Sequence, residues 1–324
     1  MIVVVSDANL LRLRDGLEAA LPEGTGVRWA MDLSQAAAEG LLADADVLVG
    51  PAFTAEVAAA APELRLVQVA GAGLDGIDRA ALGGIRLANT FHHEDAMAEY
   101  ALWAAIGLRR GLPGVDRALR ADRWESPAMD PALPLPGGLA GARVGLFGFG
   151  HIGERTWRAF AHFGATGAAV TGRGDVDAGA HRLAWAGGPA ELRRLCLESD
   201  VLVCCVPLTE ATRGSVGAAQ LDALGSHGVL INLARGPVVD EKALYIALRD
   251  NRLGAAAIDV WYRYPVGSTA GEPSRFPFRD LPNVLMTPHI SGVALSTFRG
   301  RLRDIAANVA ALAAGEPLRN EIRP

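Results

Sequence analysis

The sequence is poor in cysteine, in basic surplus and in long apolar runs, and each shortage excludes something. Three cysteines (Cys196, Cys204, Cys205) in 324 residues make no disulfide framework. Two of them are adjacent on an apolar run, which is poor geometry for a metal site and suits buried thiols in a reducing compartment. A net charge of −5 leaves no positive excess to neutralise a phosphate backbone, which argues against nucleic acid as a partner. No uncharged apolar stretch approaches the ~18 residues of a membrane span. The opening MIVVVSDANL carries no charged leader and reads as a first strand rather than a signal peptide. The expectation is a cytoplasmic enzyme or binding protein.

What is present is a globular composition, half of it apolar. At 324 residues the chain implies two domains, because single cores stop growing before ~300 residues. Short apolar runs mark strands at 2–5, 27–30, 47–49, 66–69 and 86–88, with a helical stretch over 10–21. A long helix is expected from about Asp95 to Arg110. Residues 126–138, SPAMDPALPLPGG, hold four prolines and exclude a regular element. A second series of strands follows at 144–147, 168–170, 201–206, 229–233, 255–260 and 284–286, and a helix over 294–314 closes at Gly315 and Pro317. Strands alternating with helices at this spacing predict an α/β chain with parallel sheets.

The second series opens on VGLFGFGHIGERTW. Gly148, Gly150 and Gly153 form G-x-G-x-x-G between a strand and a helix, the arrangement that lets backbone N–H groups approach a pyrophosphate at a helix N-terminus. Selectivity for NAD calls for an acid at the end of the next strand. That strand ends instead in Thr171, Gly172 and Arg173, a hydroxyl and a guanidinium that suit a 2′-phosphate, so NADP is preferred over NAD. Two other readings stay open: Asp175 turns back to serve NAD, or Arg173 is a solvated loop charge.

Three later strands end on polar residues: Arg235 after INLA, Asp259 in AAIDVWYRYP, and His289 in NVLMTPHISG. Ligands bind beyond the carboxyl ends of parallel strands, so these three side chains are candidates for one site. Together with GAGLDGID (71–78), AEYAL (98–102), GFGHIG (148–153), CVPLTEAT (205–212), NLARGPVVDEKAL (232–244), AIDVW (257–261) and TPHISG (287–292), they resemble the D-isomer-specific 2-hydroxyacid dehydrogenases over nearly the whole chain.

The resemblance implies two Rossmann-like, doubly wound parallel-sheet domains, the cofactor domain inserted into the substrate domain. Residues 1–97 would form the first part of the substrate domain, 98–292 the NAD(P)-binding domain, and 293–324 the returning C-terminal helix. It implies hydride transfer between a nicotinamide cofactor and a small 2-oxo or 2-hydroxy acid such as glyoxylate or hydroxypyruvate. Arg235 would bind the substrate carboxylate and polarise the carbonyl, and His289 would supply the proton. Asp259 would hold the nicotinamide carboxamide. His151, Ile152, Val206, Pro207 and Ala234 would line the cofactor, and the N–H groups of Ala72 and Gly73 would meet the substrate carboxylate. The proline-rich stretch 126–138 resembles the arm through which members of the family form homodimers.

Two stretches depart from the family. Five residues after the strand-ending Asp the family usually carries a glutamate that orients the catalytic histidine; here the position is Tyr264, before Pro265. A phenol orients an imidazole by one hydrogen bond but brings no charge, which predicts an acid-shifted pH profile. Glu272 or Asp280, in the loop GSTAGEPSRFPFRD, are other sources of an acid. The second departure is FHHEDAMAEY (91–100), where four polar residues read as a helix start, with His93 or Glu94 shaping the substrate pocket, rather than as a metal cluster. His162, His181 and His227 read as surface residues, and Trp261 and Tyr262 as packing. Two other functions stay open: a catalytically weak or inactive dinucleotide-sensing protein, and a dehydrogenase of another small anion such as formate or phosphite. Arg263 and Arg275, near the expected mouth, would suit a more charged substrate.

Overall fold

The structure, a computed structural model, describes residues 1–265 and 269–323. The first five strands are β1 (Ile2–Val5), β2 (Gly26–Trp29), β3 (Val47–Val49), β4 (Leu66–Gln68) and β5 (Arg86–Ala88). Seven more are β6 (Arg143–Phe147), β7 (Thr166–Val170), β8 (Trp185–Gly187), β9 (Val201–Cys204), β10 (Val229–Asn232), β11 (Ala255–Ile258) and β12 (Val284–Met286), and the last is β13 (Glu321–Ile322).

These make two α/β units: Met1–His92 with Ala294–Pro324, and His93–Val293. In the first, the order is β13-β5-β4-β3-β1-β2. All neighbours are parallel except β13, which pairs antiparallel with β5. Val3, Val4 and Val5 are wholly buried, as in a strand covered on both faces, which is why it reads as an unbroken apolar run. The Leu295–Ala314 helix covers this sheet with Leu302, Ile305, Val309 and Leu312, a 3-4-3 spacing that keeps one stripe inward. It stops at Gly315, whose φ of 71° is left-handed. The helical stretch expected over 10–21 is two pieces, a 3-10 segment Ala8–Leu13 and an α-helix Arg14–Ala20, because Leu13 leaves helical geometry at φ −120°.

In the second unit the order is β12-β11-β10-β9-β6-β7-β8, with every described pair parallel. Chain order reverses beside β6, so the loops after β6 and β9 flank a switch point, where such sheets bind ligands. The Glu94–Arg109 helix packs here through Met97, Ala101, Ala104 and Ala105. Residues 126–138 form turns with no helix or strand.

Candidate active site

The loop after β6 shows why its glycines are glycines. Gly148 has φ 104°, and a Cβ there would lie 2.8 Å from the carbonyl carbon of Cys205 and 2.9 Å from the nitrogen of Val206. A Cβ on Gly153 would lie 2.2 Å from the oxygen of Gly148, so this glycine lets the His151–His162 helix close on the loop. At Gly150 a Cβ would meet nothing within 4 Å. The space over Gly150, at the positive end of the helix, is therefore open to an approaching pyrophosphate, and the loop fits a dinucleotide. His151 is exposed and Ile152 half-buried on the first turn of the helix. Across the switch point, Val206 is buried and Pro207 exposed, its carbonyl accepting from the Thr212 hydroxyl at 2.7 Å.

The turn after β7 is exposed. Thr171 Oγ1 accepts the N–H of Gly174 at 3.0 Å, and Gly174 sits at φ 67°. Arg173 pairs with Asp175 at 2.9 Å, their side chains 87% and 57% exposed. The cation and the acid offered as rivals for the cofactor ribose thus hold each other. An ion pair this open is worth ~1 kcal/mol or less, so either partner is available to a ligand.

The ends of β10, β11 and β12 build a tighter arrangement. Ala234 is buried and its carbonyl accepts from Arg235 Nη1 at 2.8 Å, while the Asn232 amide ties the turn by accepting from Ala234 N–H and donating to the Arg235 carbonyl. A Cβ at Gly236 would lie 2.3 Å from the Trp261 carbonyl oxygen, so glycine here lets this turn close on the end of β11. Asp259 is fully buried. Its Oδ1 accepts the Thr287 hydroxyl at 2.6 Å and the Ile290 N–H at 2.8 Å, and its Oδ2 the Ser291 N–H at 2.9 Å. The carboxylate that the resemblance assigns to the carboxamide therefore organises the loop of His289.

His289 itself has φ 59°, left-handed for a residue with a side chain. Its N–H donates to the Asp259 carbonyl at 2.8 Å. Its Nδ1 lies 3.0 Å from the hydroxyl of Tyr264, which also accepts the Trp261 N–H at 3.2 Å. Although the side chain reaches solvent, surrounding protein pushes its pKa below the ordinary imidazole value; Asp259 opposes this and Arg235 adds to it. Burial raises the pKa of the Tyr264 phenol, so this partner stays neutral in the working range.

The structure brings Arg235, Asp259, Tyr264 and His289 to one edge of one sheet. It redirects others. Arg275, expected near the mouth, is paired with Glu241 at 2.9 Å. Glu241 is buried, and although burial opposes its ionisation, the Arg275 N–H, the Ser274 hydroxyl and the guanidinium hold its pKa below the usual carboxylate range. Arg275 is thus a structural cation. The described partner of the imidazole at Nδ1 is the Tyr264 phenol, and neither Glu272 nor Asp280; Asp280 lies 3.9 Å from Arg279, and Gly267 and Ser268 of that loop are outside the described residues. His92 pairs with Asp304 at 2.7 Å and Asp95 with Arg155, so the polar run 92–95 diverges. His93 is buried, its Cβ 3.2 Å from where a Cβ on Gly292 would stand. Trp261 packs as expected, 6% exposed, but its indole N–H also donates to the Thr287 carbonyl at 2.8 Å. Tyr100 and Thr287, whose hydroxyls meet at 2.8 Å, lie in the stretches AEYAL and TPHISG, but the sequence alone gives neither hydroxyl a role.

In the other unit, Ala72 is half-buried and Gly73 exposed; the Asn89 amide fixes this turn by donating to the Ala72 carbonyl at 3.0 Å.

Residues 102–291 match the family model described as D-isomer specific 2-hydroxyacid dehydrogenase, NAD binding domain. The chain is 31% identical to a glyoxylate reductase of Thermofilum pendens, over 81% of this chain and 76% of that one. It is 30% identical to a glycerate dehydrogenase of Methylorubrum extorquens, over 79% and 78%. Among solved structures, a 2-hydroxyacid dehydrogenase from Ketogulonicigenium vulgare superposes with a TM-score of 0.80 at 28% identity, covering 99% of this chain and 98% of the other. An NADPH-dependent glyoxylate/hydroxypyruvate reductase from Sinorhizobium meliloti, in complex with NADP and malonate, gives 0.78 at 28% identity, covering 99% and 96%.

Proposed function

The chain belongs to the D-isomer-specific 2-hydroxyacid dehydrogenase family and is an NAD(P)-dependent oxidoreductase, and from that premise we propose that it reduces small 2-oxo acids of the glyoxylate and hydroxypyruvate class, with NADPH preferred. The observation that carries this reading is the cluster of Arg235, Tyr264 and His289 on the sheet that also bears the Gly148 loop. Bound cofactor supplies the hydride. The chain's residues manage charge and proton. As the carbonyl becomes an alkoxide, Arg235 holds the carboxylate and polarises the carbonyl oxygen, and His289 delivers a proton to that oxygen. A 2-oxo acid, a hydride and one proton give the 2-hydroxy acid.

In the protonated state Nδ1–H of His289 donates to Tyr264; in the neutral state the Tyr264 hydroxyl can turn and donate to Nδ1. The phenol therefore orients both forms without favouring the charged one as a carboxylate would. The preference for NADPH rests on Thr171 and Arg173, with Asp175 as the counter-ion that a 2′-phosphate displaces. The alternative of a silent dinucleotide-sensing protein is not favoured, because the relatives are reductases and Arg235 and His289 are in place.

We read the unit bearing the Gly148 loop as the cofactor domain and the other as the substrate domain. The exposed Leu112, Val115, Leu119, Trp124, Met129 and Leu135, on and after the Leu112–Leu119 helix, support a homodimer through this stretch. The free, largely buried cysteines suit the cytoplasm. The functional test is initial-rate reduction of glyoxylate and hydroxypyruvate with NADPH and NADH in parallel. Turnover with NADPH favoured is expected; absence of turnover in protein that binds cofactor would refute the substrate class, and formate and phosphite would be assayed next.

A further inference from the structure

We propose that Tyr100 and Thr287 are positioning residues for the reaction: their hydroxyls form a relay that ends on Asp259 and fixes the loop carrying His289. This rests on the reading of His289 as the proton donor.

The direction of the relay follows from chemistry. Asp259 is wholly buried, and each of its carboxyl oxygens already accepts a backbone N–H, Oδ1 from Ile290 and Oδ2 from Ser291. At 2.6 Å from Oδ1, the Thr287 hydroxyl must be the donor. Its oxygen is then left to accept, and the Tyr100 hydroxyl, 2.8 Å away, is the group that donates to it. Burial raises the Tyr100 pKa to about 12, so it keeps its proton across the working range. The relay thus runs one way, from Tyr100 through Thr287 to Asp259.

Its product is a loop tied at almost every residue. The Thr287 N–H donates to the Ile258 carbonyl at 3.1 Å, and the Thr287 carbonyl accepts the Trp261 indole N–H at 2.8 Å. The His289 N–H goes to the Asp259 carbonyl, and the Ile290 and Ser291 N–H groups to its carboxylate. A left-handed histidine persists only where its surroundings over-determine it, and these bonds are those surroundings. A threonine hydroxyl rotates among staggered wells; a donor into its lone pair leaves the proton one direction, toward Asp259. Tyr100 sits on the Glu94–Arg109 helix, 187 residues from Thr287 in sequence. Its described hydrogen bond goes to Thr287 and to neither the imidazole nor the phenol, so its effect on the reaction passes through Asp259.

The test is steady-state reduction of the best 2-oxo acid by the full-length protein at saturating NADPH, with thermal unfolding followed alongside. Tyr100→Phe is expected to lower kcat about 3- to 10-fold and Thr287→Val about 30- to 100-fold, with KM for both substrates within about twofold of the parent. Thr287→Ser, which keeps the hydroxyl, should recover most of that loss. Unchanged kcat in Tyr100→Phe, or a loss in Thr287→Ser equal to that in Thr287→Val, would overturn the relay, the second by assigning the effect to the methyl group. Should Thr287→Val fail to fold, Tyr100→Phe decides alone. His289→Asn in the same assay separates the two levels: retained kcat there removes the premise, whereas a large loss with an unaffected Tyr100→Phe removes only the relay.

Discussion

The loop after β12 and the turn after β7 both close parallel strands of one sheet, yet they are built on opposite plans. The first is tied down by the buried Asp259, by Trp261 and by the Thr287 hydroxyl, and it holds His289 in a left-handed conformation. The second carries its charges on exposed side chains that hold only each other, Arg173 and Asp175. On the proposed roles of the two segments, the difference teaches where rigidity is needed. Proton delivery depends on placing one atom to within a fraction of an ångström, which demands a preorganised loop. Choosing between cofactors needs only a charge of the right sign that can swing to meet a phosphate, and water screens it at little cost.

Three substitutions press on this contrast. The largest effect is expected from His289→Asn, which should lower kcat for reduction by about 10²–10⁴ while leaving cofactor affinity intact, measured by turnover and by quenching of protein fluorescence on NADPH binding. Next comes Tyr264→Phe. It removes the hydrogen bond to Nδ1, and the one accepted from the Trp261 N–H, but none of the ties from Asp259 and the Trp261 indole that hold the loop, so kcat should fall about tenfold, the value of one hydrogen bond to a charged group. A loss as large as that of His289→Asn would mean that the backbone ties alone do not position the imidazole. The smallest effect belongs to the open turn: on the proposed reading, in which the guanidinium meets only the 2′-phosphate, Arg173→Ala should raise KM for NADPH about fivefold and leave KM for NADH unchanged. An equal change with both cofactors would show that this turn is a general binder rather than a selector.

Much of this contrast is legible in the sequence, and the part that is not has physical reasons. The strands buried on both faces announced themselves as apolar runs, and the glycine spacing located the loop after β6. Tyr264 was legible by its distance along the chain from Asp259, and the structure puts its hydroxyl against Nδ1. Two strands escaped. Trp185–Gly187 is a three-residue edge strand, half-buried throughout, and Glu321–Ile322 has two residues; neither is long enough to show a period. Arg275 was placed at the mouth because nothing local reveals Glu241, its partner 34 residues earlier. Tyr100 was hidden for the same reason. A tyrosine on an apolar helix face reads as packing, and only the fold shows what its hydroxyl reaches.

The central claim is that His289 works beside a neutral partner, in surroundings that disfavour its charged form. Burial and Arg235 lower its pKa and Asp259 only opposes them, so the imidazolium needed for reduction is lost at a lower pH than for a free imidazole. The most direct test is the pH dependence of kcat/KM for 2-oxo acid reduction from pH 5 to 9. The account predicts a rate that falls as pH rises, half lost below the ordinary imidazole value of about 6.5, and a midpoint moved upward in Tyr264→Glu. A rate that holds level to pH 8 in the parent protein would contradict it.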